Sequence, residues 1–196
     1  MSPWSWRPPR TDYRLFVRKA RSLRNHAAMH TLYLLRHAKS SWSDSSLTDH
    51  ERPLAPRGER DAKRVAKHLR RLEVRPALVL CSSAVRTRAT AELILPALAG
   101  APLEVEEGLY GAGSEALLER LRAVPESVAS VLLIGHNPGL HELALTLASS
   151  GPERKRLEEK LPTAGLATLV VPRSPWRGLG RGDAELVGYV VPKQLG

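Results

Sequence analysis

Short apolar runs alternating with amphipathic stretches make up most of this 196-residue chain. Three of the runs are compact and apolar throughout, and they occupy 32–35, 78–81 and 131–134. Runs of this length predict strands that are buried on both faces, as in a parallel sheet. Two longer runs, 166–171 and 186–191, predict strands that close the sheet, and 103–106 predicts a further short strand.

Apolar residues at helical spacing lie between these strands. A first helix opens at Pro56, and the spacing of its apolar residues predicts one buried face, made of Ala62, Val65, Ala66, Leu69 and Leu72. Cations cover the opposite face, which we interpret as a solvated surface: Arg57, Arg60, Lys63, Arg64, Lys67, Arg70 and Arg71.

Further helices are predicted from start signals. The pair Ser82-Ser83 is a favourable N-cap and predicts a helix from Ala84 onwards. Ser114 predicts the start of another helix, and a fourth follows Gly139. The alternation of strands and helices predicts a three-layer α/β/α fold with a mostly parallel central sheet.

The connections are polar. Residues 41–53 predict a loop, and 151–162 form a charged connection without a predicted element. His50 and His68 lie in polar contexts and are predicted to be solvated, whereas Cys81 is predicted to pack in the core.

Composition limits the class of protein. A hydrophobic content of 42% is enough for one sizeable core, and we place this domain at 29–196. The single Cys81 excludes an internal disulfide. No apolar run reaches the ~20 residues that a membrane-spanning helix requires. We therefore expect a cytoplasmic protein with no membrane partner.

The formal net charge of +10 is concentrated near the start of the chain. Residues 1–28 contribute +6, because one carboxylate, Asp12, opposes seven cations: Arg7, Arg10, Arg14, Arg18, Lys19, Arg21 and Arg24. We interpret 1–28 as a basic leader that is disordered or absent from the native protein, since Met29 is a natural start before the first strand. A transit peptide and a basic arm for nucleic acid are the alternatives.

The ends of the three compact strands carry the candidate chemistry. Arg36 and His37 follow the first strand, Arg86 falls in the first turn of the helix after the second, and His136 follows the third. Because the carboxyl ends of parallel strands meet at one edge, we expect these four side chains to lie together.

Two guanidinium groups and two imidazoles form a site for a tetrahedral dianion. Guanidinium groups match phosphoryl oxygens, and an unprotonated imidazole can attack phosphorus. The neighbouring arginine charges should lower the pKa of His37 and so keep it neutral.

Three motifs in this order resemble those of the histidine phosphatase superfamily, whose fold is called phosphoglycerate mutase-like: Leu35-Arg36-His37-Ala38, the stretch 82–91, and Gly135-His136-Asn137-Pro138. The stretch 36–42, with Arg52-Pro53-Leu54 downstream, looks most like the compact SixA-type phosphohistidine phosphatases. The resemblance spans 31–192 and implies a phosphoglycerate mutase-like α/β/α fold.

The resemblance also implies roles for individual residues. It makes His37 the nucleophile that becomes phosphorylated, Arg36 and Arg86 the ligands of the phosphoryl oxygens, and His136 a further source of hydrogen bonding and positive charge. No metal or organic cofactor is implied. Glu107 stands three residues before Tyr110-Gly111 and is the candidate general acid, with a surface carboxylate as the alternative.

These features predict a metal-independent phosphatase that acts on phosphohistidine, or on another phosphorylated residue, in a protein. Imidazole leaves phosphorus more readily than an alkoxide does, and short connections leave no room for a large cap over the site. The alternatives are a small-molecule phosphomonoesterase and a catalytically inactive module that binds phosphate or nucleic acid. Nucleic acid is not the expected partner, and the oligomeric state stays open.

Overall fold

A computed structural model describes residues 29–150, 153–172 and 175–195. The predicted leader, 1–28, lies outside the described residues, so its assignment stays a prediction. None of the helices in the described ranges is long and apolar enough to cross a membrane. The cytoplasmic location also stays a prediction.

One seven-stranded sheet forms the centre of the described fold, with strand order β3-β2-β4-β1-β6-β7-β5. The strands are β1 His30–Arg36, β2 Leu78–Ser82, β3 Leu103–Glu106, β4 Ser130–Gly135, β5 Ala148–Ser150, β6 Leu166–Val171 and β7 Ala184–Val190. Four neighbouring pairs are parallel, and β6 alone runs antiparallel to its two neighbours. The predicted mostly parallel sheet is confirmed.

Helices cover both faces of this sheet. The described helices are α1 Pro56–Arg71, α2 Val85–Ile94, α3 Ser114–Arg122, α4 Gly139–Leu147 and α5 Arg154–Glu159. Short 3₁₀ turns occupy Leu95–Ala97, Glu107–Leu109, Trp176–Gly178 and Pro192–Gln194. The three-layer α/β/α arrangement is therefore confirmed.

Alternation along β1 explains why the sheet has two apolar faces. Leu32 and Leu34 join the core beneath α3 and α4, whereas Leu35 joins the core beneath α1 and α2. Successive side chains of a strand point to opposite faces, so an uninterrupted apolar run is what a strand covered on both sides requires.

Two elements went unpredicted. The helix α5 lies within 151–162, where Leu157 is its one buried apolar residue, and the pairs Arg154–Glu158 and Arg156–Glu153 lie along it. A single buried residue leaves no apolar periodicity to detect. The strand β5 follows α4 directly, without an apolar run of its own.

Contacts between backbone segments place the loop after β1 beside the start of α1. The Ala55 amide donates to the Lys39 carbonyl oxygen at 2.8 Å. A Cβ atom built on Gly58, in the first turn of α1, would lie 2.1 Å from the same oxygen. Only glycine fits there, so α1 packs directly on the chain two residues beyond His37.

We expect Gly58→Ala to lower the free energy of unfolding by about 1–3 kcal/mol, because the added methyl group must push backbone aside. The matched control is Gly108→Ala, where an added Cβ meets no atom within 4 Å. That control should change stability by less than about 0.5 kcal/mol. Urea unfolding of both variants checks the prediction, and equal stabilities would show that the close approach is not needed.

Candidate active site

The carboxyl ends of the adjacent strands β2, β4 and β1 form one edge of the sheet, and the predicted residues meet there. Arg36 ends β1, His136 follows β4, and Arg86 is the second residue of α2. The His37 amide donates to the Gly135 carbonyl oxygen at 3.1 Å, which ties the ends of β1 and β4 together.

Arg86 joins the two imidazoles of the site. Its Nε donates to His37 Nε2 at 3.3 Å, and its Nη2 lies 3.2 Å from His136 Nδ1. The two imidazole centroids are 5.1 Å apart. His37, Arg86 and His136 are each only 6–7% exposed. The structure therefore brings these three groups together in a buried cluster.

The tautomer of His37 follows from its hydrogen bonds. Nδ1 lies 2.7 Å from the Ala38 carbonyl oxygen. A carbonyl oxygen only accepts, so Nδ1 carries the proton and Nε2 keeps its lone pair. Nε2 is the atom that faces Arg86, so the free lone pair of His37 lies beside a fixed positive charge.

Burial keeps His37 unprotonated. It lowers the pKa of His37 to about 3, and the charges of His136, Arg86 and Arg36 add to the shift, while the hydrogen bond to Ala38 opposes it. The expected lowering is confirmed, but desolvation outweighs the arginine charges as its cause. Burial and the Arg86 charge likewise lower the pKa of His136 to about 4.

Ser82 orients His136. Ser82 Oγ lies 2.7 Å from His136 Nε2. Arg86 can only donate to Nδ1, so Nε2 carries the proton and donates to the hydroxyl. Ser82 was expected to cap a helix. Its hydroxyl instead holds the imidazole.

Ser83, the second serine of the predicted N-cap pair, also forms a hydrogen bond with a histidine. Ser83 Oγ lies 2.9 Å from His50 Nε2. The helix α2 begins after Ala84 and has no side-chain cap, because both hydroxyls bind histidines. The prediction that His50 is solvated is wrong, since its ring is half-buried and packs edge-on against Tyr110.

Arg36 has donors suited to an anion. Its Nη1 donates to the Leu161 carbonyl oxygen at 3.0 Å, which anchors the side chain. Its Nε is buried without a hydrogen-bond partner in the described part of the chain. Burial and the Arg86 charge lower the pKa of Arg36. An anionic ligand would stabilise this charge, since it would offset both effects.

Asp49 is a site residue that the sequence interpretation missed. Its Oδ2 accepts hydrogen bonds from Arg86 Nη2 and from the Tyr110 hydroxyl, both at 2.9 Å. Its carbonyl oxygen accepts from Arg86 Nη1. The side chain is 54% exposed, so Asp49 stands between the buried cluster and solvent.

The loop 41–53 that carries Asp49 is tied down by Arg52. This buried side chain donates from Nε to the Ser41 carbonyl oxygen and from Nη2 to Ser40 Oγ, each at 2.9 Å. The Trp42 ring covers the guanidinium, whose carbon lies 3.1 Å from the ring centroid. The predicted loop over the site is therefore confirmed, and its position is fixed by cation–π and hydrogen-bonding contacts.

Glu107 is not joined to the cluster. It is exposed at the start of the 3₁₀ turn Glu107–Leu109, and among the described residues none of the hydrogen bonds or ion pairs connects its side chain to the four predicted groups. Its role as general acid stays a prediction. Cys81 is buried, as expected, and burial raises the pKa of its thiol to about 12.

In the ranges that the structure covers, histidine, cysteine and carboxylate side chains form no group of three or more suited to a metal ion. The buried cluster holds one cation, Arg86, and two imidazoles, and Arg36 at the end of β1 adds a second cation. Two guanidinium groups beside two imidazoles are suited to binding an anion.

The chain is similar in sequence and in fold to known proteins. A sequence model of the histidine phosphatase superfamily (branch 1) matches residues 32–112. A Mycobacterium tuberculosis protein of uncharacterized function is 40% identical over 163 residues, which cover 81% of this chain and 100% of the relative.

Solved structures extend this similarity. A protein from Nakamurella multipartitia, assigned as the phosphohistidine phosphatase SixA, is 31% identical with a TM-score of 0.72, over 85% of this chain and 98% of the other. Its counterpart from Agrobacterium tumefaciens is 29% identical with a TM-score of 0.70, over 83% of this chain and 98% of the other. The chain therefore belongs to the histidine phosphatase superfamily, in its SixA-type branch, and is a phosphatase.

Proposed function

We propose that this phosphatase hydrolyses phosphohistidine in proteins, without a metal ion, through a phosphoryl group carried on Nε2 of His37. The observation that carries the proposal is the tautomer of His37. The bond from Nδ1 to the Ala38 carbonyl leaves Nε2 as the free nucleophilic atom, 3.3 Å from Arg86 Nε.

In the first half of the reaction, Nε2 of His37 attacks the phosphorus atom of the substrate. The new P–N bond forms as the bond to the substrate's own imidazole breaks, and that imidazole leaves with the electron pair and takes up a proton. Arg36 and Arg86 balance the charge that spreads over the phosphoryl oxygens. His136 lies beside Arg86, and the negative charge of a bound anion raises the pKa of this imidazole, so that it can take up a proton from solvent and add to the positive surface.

In the second half, water attacks the phosphorus atom of phospho-His37. The P–Nε2 bond breaks, inorganic phosphate leaves, and the electron pair returns to Nε2. The nucleophile is regenerated in its original tautomer, because the Ala38 carbonyl holds the proton on Nδ1 throughout.

The absence of a contact between Glu107 and the described cluster favours a P–N substrate over an ester. An alkoxide needs a proton as it departs, whereas imidazole is a better leaving group and is readily protonated by solvent. The names of the SixA neighbours point to the same substrate class.

The proposal predicts a substrate preference. With a chelator present, kcat/KM on a synthetic phosphohistidine peptide should exceed that on an alkyl phosphate by at least about 100-fold, the contribution that general acid catalysis would make to the ester. Phosphate release measured side by side tests this. A higher kcat/KM on small phosphate esters would instead support the phosphomonoesterase alternative.

Glu107→Gln serves as the comparison variant in this experiment. Its turnover of the phosphohistidine peptide should stay within about twofold, because the departing imidazole needs no enzymatic acid. A selective loss on the ester would identify Glu107 as the acid for esters, and an equal large loss on both substrates would contradict the mechanism.

A further inference from the structure

We propose that Asp49 accepts the proton of the water molecule that hydrolyses phospho-His37. The inference rests on the proposed function, because it concerns the second half of the same reaction.

The position of Asp49 relative to the nucleophile carries the proposal. Arg86 donates from Nε to His37 Nε2 at 3.3 Å and from Nη2 to Asp49 Oδ2 at 2.9 Å. The nucleophilic nitrogen and the carboxylate therefore lie on two edges of one guanidinium group. A phosphoryl group on Nε2 that binds Arg86 has the Asp49 carboxylate next to it.

Asp49 is also the group at this position that water can reach. Its side chain is 54% exposed, whereas His37, Arg86 and His136 are each no more than 7% exposed. Water attacking phospho-His37 must approach from the side opposite Nε2, and a partly exposed carboxylate can receive its proton and pass it to solvent.

The hydrogen bonds of Asp49 keep it ionised. Burial raises the pKa of this carboxyl, but the hydrogen bonds from Tyr110 and Arg86 and the charges of Arg86 and Arg52 together bring it below its ordinary value. Asp49 is thus a proton acceptor at neutral pH, not a donor. Its Oδ2 accepts two hydrogen bonds, while Oδ1 accepts one, from Arg52 Nη1, and keeps a lone pair for water.

The other two imidazoles near the site, His136 and His50, already make hydrogen bonds to other side chains. His136 directs its Nε2 proton to Ser82 and its Nδ1 to Arg86, and His50 Nε2 pairs with Ser83. The Asp49 carboxylate is therefore the base that the geometry leaves for water.

The step balances without a further reactant. A water oxygen bonds to phosphorus as one O–H bond breaks and its proton passes to the Asp49 carboxylate. The P–Nε2 bond breaks with its electron pair returning to His37. Inorganic phosphate leaves, and Asp49 releases the proton to solvent.

The test is Asp49→Asn, assayed on the phosphohistidine peptide and on an aryl phosphate, whose good leaving group does not depend on a general acid. Loss of the base should lower kcat on the phosphohistidine peptide by about 100-fold, because hydrolysis of phospho-His37 becomes rate-limiting. Since this step is common to both substrates, kcat on the aryl phosphate should fall to the same value. Because kcat/KM reports only the steps up to enzyme phosphorylation, it should not fall. Intact-protein mass after an alkaline quench should show that phosphoenzyme accumulates.

Two further variants separate base catalysis from structural effects. Asp44→Asn is the matched control, since Asp44 is an exposed carboxylate of the same loop whose hydrogen bonds go to Ser46, and it should behave as wild type. Asp49→Glu keeps a carboxylate and should recover at least about tenfold of the lost kcat.

The results that would overturn the role of Asp49 differ from the result that would overturn the proposed function. If kcat and kcat/KM of Asp49→Asn fall together without accumulated phosphoenzyme, Asp49 only positions Arg86 and the inference is overturned. An unchanged kcat overturns it as well. If wild type itself forms no phospho-His37, the proposed function fails instead.

Discussion

Replacing His37 by alanine is expected to lower turnover of a phosphohistidine peptide by at least about a thousandfold, because the covalent route loses its nucleophile. The buried Nε2 lone pair beside Arg86 has no substitute at the same position in the described site, where His136 directs its protonated nitrogen to Ser82. Initial rates of phosphate release measure the effect.

His68→Gln is the matched control for this variant. His68, which was predicted to be solvated, is a half-buried imidazole on α1, so that prediction is wrong as it is for His50. Burial lowers the pKa of His68 to about 4, and its ring lies beside Arg71 and not beside a site residue. Its turnover should stay within about twofold of wild type, as expected for a substitution away from the site. Full turnover in His37→Ala would refute the proposed nucleophile.

Replacing Arg86 by alanine should lower kcat/KM by about 100- to 1000-fold, the usual cost of removing one donor aimed at developing charge. Arg86 is the residue that contacts His37, His136 and Asp49 together. Arg86→Lys keeps the charge but loses the fork of donors, so it should recover only part of the rate.

Arg88→Ala provides the control on the same helix. Arg88 lies two residues further along α2 and is exposed, so its removal should leave kcat/KM within about twofold. If Arg86→Ala and Arg88→Ala had the same kcat/KM, the contacts of Arg86 with the buried cluster would not contribute to catalysis.

The sequence could predict Arg36, His37, Arg86 and His136 because each stands at a fixed distance from a visible apolar run. A run that is apolar throughout marks a strand covered on both faces, and parallel strands bring their carboxyl ends together. The mostly parallel sheet and the meeting of His37, Arg86 and His136 follow from this pattern.

Asp49 could not be found in the same way. It lies in a polar loop that also contains Asp44 and Glu51, and its contact with Arg86 depends on how that loop folds back over the sheet edge. The one local signal is the Arg52-Pro53-Leu54 motif that follows it, whose arginine binds Ser40 and Ser41 and so fixes the loop.

Ser82 shows why a correct local preference can be overridden. A serine before a helix is a favourable N-cap. Leaving a nitrogen of a buried histidine without a hydrogen-bond partner costs more free energy than losing the cap, since an unsatisfied buried polar group is costly. Ser82 provides that partner for His136. The sequence also could not show that burial is the main cause of the low pKa of His37, because burial is a property of the assembled fold.

Identifying the phosphorylated residue of the enzyme tests directly whether His37 is the nucleophile. Wild type and Asp49→Asn would be mixed with the phosphohistidine peptide, quenched in alkali, which preserves P–N bonds, and analysed by intact mass and peptide mapping. We expect a single phosphoryl group on His37, at a higher level in Asp49→Asn. Turnover without any phosphoryl group on His37, or with the group on another residue, would contradict this role of His37.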